Sequence, residues 1–401
     1  MIKYKIQFQK EGFNYQNYVP LYFSHLEKKE QNFFVLNNAR ELGSEQIKVL
    51  IPFCVDNIFE GYSVDVYSFS NPLLRNNDVI ALHTNEINKH SGRIGYFFSI
   101  KALADEENSI FDSHTLSYAY YALGLLLKGQ ANIDNVERVN RKEDSNIYKI
   151  TDFFNEDIVL LVLCNEYINE IQDFNIDDYI YGLYKFGFIY NSNSVKNRNG
   201  ILKIQEDQYK TMTENGRKIK IELKNKDFRN DYFISIYSKE LVWKEKNWLT
   251  KFILSYQIIE ILIDKIFIHS VYSIIEKNIP DKSTKFRDKI NTVTTESERI
   301  KRLFTDYTRI DESLKNLCSS KFVTILSSLS IEIDEDKRQK LHSIIYHIRN
   351  TIVHAVRVVY NENKSVDECK MEELNDYFEY LIFEILSTFY CCPLPPVSNQ
   401  I

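Results

Sequence analysis

Glycine and proline are scarce in this sequence, at 11 and 7 of 401 residues. That is too few for a collagen-like or low-complexity chain. Cysteine is scarce too: the six, at 54, 164, 318, 369, 391 and 392, show no C-x-x-C spacing and no histidine at zinc-ligand distance. They read as those of a reducing, cytoplasmic protein without a structural metal, with Cys391-Cys392 closing a helix as small buried residues. A basic excess is missing as well. The net charge is −6, which disfavours extended binding to duplex DNA or to an anionic membrane, although a small RNA site needs only a few local cations. The longest apolar stretch, Phe252 to Ile275, is interrupted by Glu260, Asp264, Lys265 and His269, which a lipid-facing helix tolerates poorly. Met1 to Gly12 lacks the apolar core of a signal peptide. No P-loop, Rossmann glycine fingerprint or H-E-x-x-H pattern occurs.

What is present is an ordinary globular composition, 44% hydrophobic and 26% charged, with 27 Tyr and 26 Phe for large buried cores. The length suits two or three domains. Residues 1–240 read as a mixed α+β domain of unknown role, with sensor, regulator or RNA selection as the options. Short β-branched or aromatic runs predict strands at Ile2–Phe8, Ile47–Val55, Tyr62–Phe69, Val79–His83, Tyr96–Ile100, Lys218–Leu223 and Tyr232–Tyr237. Helices are expected at Thr115–Leu127, capped by Ser113, and around Asp157–Asp173 and Asp177–Tyr190, with a polar loop at Asn191–Asn199. Residues 241–392 read as an all-α bundle with helices at Leu249–Lys277, Glu296–Thr308, Leu314–Leu329, Asp336–Tyr360 and Met371–Tyr390. A tail, 393–401, follows. His25, His83, His90 and His114 have no partners at a recognisable spacing, and core packing explains most of the N-terminal aromatic residues.

Leu341–Tyr360, placed on a wheel at about 100° per residue, shows two faces. Leu341, Ile344, Ile345, Ile348, Ile352, Val356 and Val359 form one broad apolar face, the one a bundle buries. Tyr346, His347, Asn350, His354 and Arg357 line another, joined by i,i+3 and i,i+4 steps. Arg349 stands at the margin, with a side chain long enough to swing toward His354. Such a polar stripe is not needed for a fold. It puts an imidazole, a fixed cation and an amide within reach of one another. His347 and His354 lie two turns apart, roughly 10 Å of rise, too far to share a metal ion.

The hexapeptide Arg349-Asn350-Thr351-Ile352-Val353-His354 resembles the R-x(4–6)-H signature of HEPN domains, in which a polar residue commonly follows the arginine. Its surroundings resemble the ApeA-like and abortive-infection branches of that superfamily. Tyr256-Gln257-Ile258-Ile259-Glu260 is similar to their opening helix, Tyr346 to His354 to their signature helix, and Leu374–Phe389 to their closing helix. The resemblance covers roughly residues 245–390 and does not reach the N-terminal part. The pattern itself is short, so its weight comes from the helices around it.

The resemblance implies a fold, a chemistry and partners. The fold is an α+β N-terminal domain followed by an all-α HEPN helical bundle. The chemistry is metal-independent, cofactor-free RNA cleavage by the adjacent 2′-hydroxyl, leaving a 2′,3′-cyclic phosphate and a 5′-hydroxyl. In it His354 moves the proton, Arg349 holds the phosphate and its growing charge, and Asn350 orients either group. The partners are RNA, with transfer RNA as a candidate because its loops are single-stranded, and a second copy of the chain completing a composite site. An antitoxin or trigger protein would join them, in a cytoplasmic antiviral-defence (abortive-infection) or toxin system.

Supporting residues are less sharply defined. An acid of the opening helix lies near the signature helix in such families, which points to Glu260; an acid in an apolar helix is equally a solvent-facing residue. Tyr346 and His347 share the polar face, and His347 reads equally as a surface histidine. Arg357 reads first as a surface arginine and second as a contact for a flanking phosphate. Arg299, Lys301 and Arg302 are offset by Glu296 and Glu298, so a solvated helix face is expected there. A different class of function stays open: a non-catalytic HEPN module that binds RNA or a nucleotide, or that dimerises a sensor. A scaffold has no need of both Arg349 and His354.

Overall fold

The computed structural model describes residues 5–7, 32–36, 47–52, 64–74, 79–87, 89–105, 113–128, 147–152, 158–190, 199–214, 217–221, 228, 230–278, 283–329, 331–335, 337–352 and 367–390. The chain divides into two units. The first comprises Met1–Ile176, Phe186–Val195 and Glu206–Glu222, and the second Asp177–Lys185, Lys196–Gln205 and Leu223–Ile401. A strand-rich region is thus followed by a helical one.

The strands of the first unit are β1 (Lys5–Gln7), β2 (Asn32–Leu36), β3 (Ile47–Ile51), β4 (Val64–Ser70), β5 (Val79–Thr84), β6 (Arg93–Ser99), β7 (Ile147–Tyr148), β8 (Ile158–Cys164), β9 (Ile189–Tyr190) and β10 (Lys218–Ile221). Seven of them form one sheet in the order β1-β4-β8-β6-β5-β10, with β9 also on β4; β2, β3 and β7 form another. The central pairs are antiparallel, and β1 on β4 and β10 on β5 are parallel. Helices α1 (Ile100–Ala104) and α2 (Ser113–Lys128) follow β6, and α3 (Asn165–Ile168) follows β8. Ser99 ends β6 and caps α1, its hydroxyl accepting from the Ala102 amide at 3.0 Å. Ser113, expected as the cap of α2, lies in its first turn.

Three expectations for this stretch are corrected. Asp157–Asp173 is not one helix. Its first part, Ile-Val-Leu-Leu-Val-Leu-Cys, is β8, flanked by β4 and β6 and buried from Val159 to Cys164. A continuous apolar run is compatible with a central strand or a buried helix, and only the neighbouring strands decide. The helix expected over Asp177–Tyr190 is confined to α4 (Ile180–Tyr184), after which Gly187 takes φ +85° and the chain turns into β9. A Cβ at Gly187 would sit 2.8 Å from Asn71 Oδ1. Asn71 is fully buried there and donates to the Phe186 carbonyl at 3.0 Å. The strand expected at Tyr232–Tyr237 is instead helix α6 (Tyr232–Ile236), because Asp231 accepts from the Ile234 amide and starts it.

Helix α5 (Asn199–Glu214) is divided between the units, and neither it nor α9 (Ser283–Thr294) was anticipated. Both are polar on average, with few apolar residues to mark them in the sequence. The second unit otherwise holds α4, α6, a π-helical turn at Tyr237–Leu241, α7 (Val242–Lys244), α8 (Trp248–Asn278), α10 (Glu296–Thr305), α11 (Glu312–Ser328), α12 (Leu341–Asn350) and α13 (Glu368–Thr388). Its core comes from Phe252, Ile259 and Leu262 of α8, Leu303 of α10, Phe322 of α11, Ile344, Ile345 and Ile348 of α12, and Phe378 and Leu381 of α13. Helix α8 packs on α13 and α10, and α12 packs on α10 and α11. Thr351 and Ile352 continue α12 in π geometry. Val356, Val359, Cys391-Cys392 and residues 393–401 lie outside the described residues, as does the loop expected at Asn191–Asn199 apart from Asn199, which begins α5. Among the described residues no helix is long and apolar enough to cross a membrane.

The fully buried Glu379 of α13 is paired with Lys251 of α8 at 2.6 Å and accepts from the Tyr184 hydroxyl of α4 at 2.6 Å. Tyr184 also stacks on Phe383 with ring centroids 4.1 Å apart. Removing one partner of a buried ion pair leaves the other charge uncompensated. Glu379→Ala is therefore expected to cost about 3–5 kcal/mol in denaturant unfolding of the helical unit. Asp231→Ala, the loss of one cap, should cost only about 1 kcal/mol. The reverse order would show that the Glu379 pair does not carry the packing of α13.

Candidate functional site

Arg349 and Asn350 end the helical part of α12, whose apolar face is buried as the wheel requires: Leu341, Ile344, Ile345, Ile348 and Ile352 are all in the core. That burial leaves Arg349 at the margin, half-buried. Its Nη1 donates to Asn350 Oδ1 at 3.1 Å. Two carboxylates from other helices stand beside it. Glu260 of α8 approaches Nη2 to 3.9 Å, and Glu296, the first residue of α10, approaches Nε to 3.7 Å. The guanidinium also lies 5.9 Å from the ring centroid of Tyr256, one turn before Glu260 on α8.

These separations decide how Arg349 is held. Both exceed the 2.7–3.2 Å of a hydrogen bond, so the attraction is Coulombic and the guanidinium fork does not bite on either carboxylate. Exposed or half-exposed pairs contribute on the order of 1 kcal/mol or less. Arg349 Nε is buried and has no hydrogen-bond acceptor among the described residues. The cation is positioned, with donor capacity left over.

Glu296 is itself fixed. Tyr256 is almost fully buried, and its hydroxyl donates to Glu296 Oε1 at 2.8 Å. Burial, and then the bond to Glu296, push the Tyr256 phenol well above its ordinary value, so it stays a donor. The start of α10 also favours a carboxylate through its unpaired amides. Gln257 donates to Glu260. Burial raises the Glu260 carboxyl above its ordinary value; Arg349 opposes the shift, while Glu296 and Asp264 add to it.

The structure brings together Arg349, Asn350 and Glu260 of the expected set. Glu260 is a neighbour of Arg349 and not merely a solvent-facing acid. Tyr346 is half-buried. His347 is half-buried as well, with Nε2 shielded and unpartnered among the described residues. It lies near enough to Asp334 to help Lys337 hold that carboxyl below its ordinary value. His354 and Arg357 lie outside the described residues. Glu296 and Tyr256 are the additions. On the sequence Glu296 offsets the basic cluster of its own helix, but those cations have other partners: Arg299 pairs with Asp264 at 2.8 Å, Lys301 with Glu298 at 3.2 Å, and Arg302 with Asp306 at 3.1 Å. The sequence signal for Glu296 was its place at a helix start; its contact with Arg349 was not readable. No group of three His, Cys, Asp or Glu side chains suited to a metal occurs among the described residues.

Two carboxylates against one guanidinium leave the cluster with one net negative charge when both are ionised. Glu260 has the raised value, so its protonated form is favoured by folding and its contribution to stability is lost as pH rises through the folded value. Glu260→Gln is expected to raise the thermal midpoint at pH 7–8 and to converge with the parent below the ordinary carboxylate range. The gain should be a fraction of a kcal/mol, because the side chain remains 36% exposed. A lower midpoint in the variant at pH 7–8 would contradict the sign.

Comparisons of the chain with protein-family models, with curated proteins and with solved structures find no match, so what this cluster does has to be read from its own residues.

Proposed function

We propose that the chain is a metal-independent endoribonuclease of HEPN type. The observation that supports this most directly is the state of Arg349: half-buried, held by charge at 3.7 and 3.9 Å, and hydrogen-bonded to neither carboxylate. A phosphate oxygen is the acceptor such a guanidinium fits. In the reaction the RNA 2′-oxygen gives its proton to a base and bonds to the adjacent phosphorus. The 5′-oxygen then leaves with a proton from an acid, giving a 2′,3′-cyclic phosphate and a 5′-hydroxyl. His354 supplies the imidazole for these transfers, Arg349 holds the phosphate, and Asn350 orients the guanidinium.

One R-x-x-x-x-H set provides one imidazole where two proton transfers are needed, so a second copy of the chain completes the site. The outward side of α8 supports this. Ile253, Ile268, Tyr272 and Ile275 are exposed there, Ile268 by 54% and Tyr272 by 64%, on the stripe that also carries Glu260. The setting is carried by the resemblance alone: an antiviral-defence or toxin effector in the cytoplasm that cuts RNA such as transfer RNA. Within it the first unit senses a trigger, restrains the nuclease or selects the RNA, and an antitoxin is a further partner.

A second reading has an observation of its own. Two carboxylates already counter Arg349, as a structural arginine in a non-catalytic HEPN module would require. Incubating the purified chain with total RNA in EDTA separates the two. Fragments ending in a 2′,3′-cyclic phosphate are expected, with Arg349→Ala and His354→Ala each slowing cleavage by about a hundredfold or more. Intact RNA, equal cutting by the variants, or a metal-dependent cut with 5′-phosphate ends would refute the nuclease. Ile268→Asp combined with Tyr272→Asp is expected to give a monomer by light scattering that no longer cleaves; a monomer that still cleaves would remove the composite site.

A further inference from the structure

Arg349 faces three neighbours, each through a different nitrogen. Asn350 Oδ1 accepts from Nη1 at 3.1 Å. Glu296 faces Nε at 3.7 Å, and Glu260 faces Nη2 at 3.9 Å. A guanidinium presents two forked edges to an anion, Nε with Nη2 and Nη1 with Nη2. The first edge is flanked by both carboxylates, and its Nε is shielded. An incoming oxyanion is left with the second edge, where it needs Nη2 and meets Glu260.

The two acids are not equally free to yield. Glu296 begins α10, and Thr295 ahead of it supplies no side-chain cap, so the carboxylate stands beside the unpaired amides of the first turn. Its Oε1, the oxygen that faces Arg349, also accepts from the Tyr256 hydroxyl at 2.8 Å. Tyr256 is buried on α8, with its ring 5.9 Å from the guanidinium, so one side chain braces both the acid and the cation. Moving Glu296 would strand a buried hydroxyl. Glu260 has no such tie among the described residues. Its hydrogen bond comes from Gln257, an exposed residue one turn earlier on its own helix. Its side chain is 36% exposed, against 25% for Glu296. Burial first disfavours its charged form; Arg349 favours that form, and Glu296 and Asp264 oppose it.

The contact between Glu260 and Arg349 is too long for a hydrogen bond, so none is lost when the carboxylate leaves. A phosphate oxygen at Nη2 gains a charge-assisted hydrogen bond in its place, and the half-exposed carboxylate turns into water. We infer that Glu260 is an exchangeable counter-ion, which holds Arg349 until an RNA phosphodiester replaces it at Nη2, while Glu296 stays as the fixed one. Glu260 thereby sets the affinity for phosphate by competing for the cation. The inference rests on the reading of Arg349 as a phosphate holder, a role that a cleaving module and an RNA-binding one share.

The test is fluorescence anisotropy of the full chain in EDTA with a short labelled single-stranded RNA methylated at every 2′-oxygen, which binds without being cut. Glu260→Gln is expected to tighten binding about threefold or more, the effect of removing one unit charge close to a phosphate near the surface. Glu260→Asp, which keeps the charge, should bind close to the parent, and Arg349→Ala should weaken binding about tenfold or more. In the Arg349→Ala background the Gln substitution should change affinity little, since the exchange needs the cation. Unchanged or weaker binding by Glu260→Gln would overturn the exchange. So would an equal gain with and without Arg349, or RNA that neither the parent nor Glu260→Gln binds. A parent that cuts no RNA while the Arg349-dependent gain is present would remove the nuclease reading and keep the exchange. A parent that cuts RNA without that gain would do the reverse.

Discussion

A carboxylate with no exposed surface constrains everything packed around it. Glu379 is such a group, and Lys251 and the Tyr184 hydroxyl, both reaching it at 2.6 Å, offset its desolvation. That requirement fastens α4, α8 and α13 to one another. It also sets the rotation of α8. At roughly 100° per residue, a helix that turns Lys251 toward α13 must present Glu260 about 180° away. Glu260 is indeed the half-exposed acid of that helix, and Tyr256, between the two, is nearly buried. The geometry at Arg349 therefore begins with a charge pair in another part of the bundle.

At Arg349 the electrostatics run against simple anion capture. Two carboxylates flank one guanidinium, and both contacts are too long to be hydrogen bonds. Such an arrangement orients the cation without using up its donors. It also repels phosphate unless one acid is protonated or a second source of attraction exists. Burial biases Glu260 toward its protonated form, against the pull of Arg349. Tyr256 takes part in two ways, since it fixes Glu296 by a hydrogen bond and offers its ring to the guanidinium.

How much of this was legible in the sequence depends on the range of the interaction. The long helices α8, α11 and α13 showed as long runs with many apolar residues and no strand-like breaks, and the buried and margin positions of α12 fell where the wheel put them. Ile158–Cys164 was misread because an unbroken apolar run has no period; β4 and β6 on either side make it a strand. Tyr232–Ile236 was misread because its aromatic and β-branched residues favour a strand, and the cap at Asp231 outweighs them. Helices α5 and α9 were missed because few of their residues are apolar.

The sequence by itself determined the adjacency of Arg349 and Asn350, the face of α12 that is buried, and the presence of an acid on α8. These follow from spacing along one helix, where 3.6 residues per turn fixes direction. Only the tertiary structure decided that Glu296 faces Arg349 and not the cations of its own helix, and that Tyr256 holds it there. The register around His83 is of the same kind: it has no partner at a recognisable spacing along the chain, yet it stands between Arg93 and Lys220 across the sheet. Contacts between elements distant in sequence depend on register and helix rotation, and the packing of the whole core sets both.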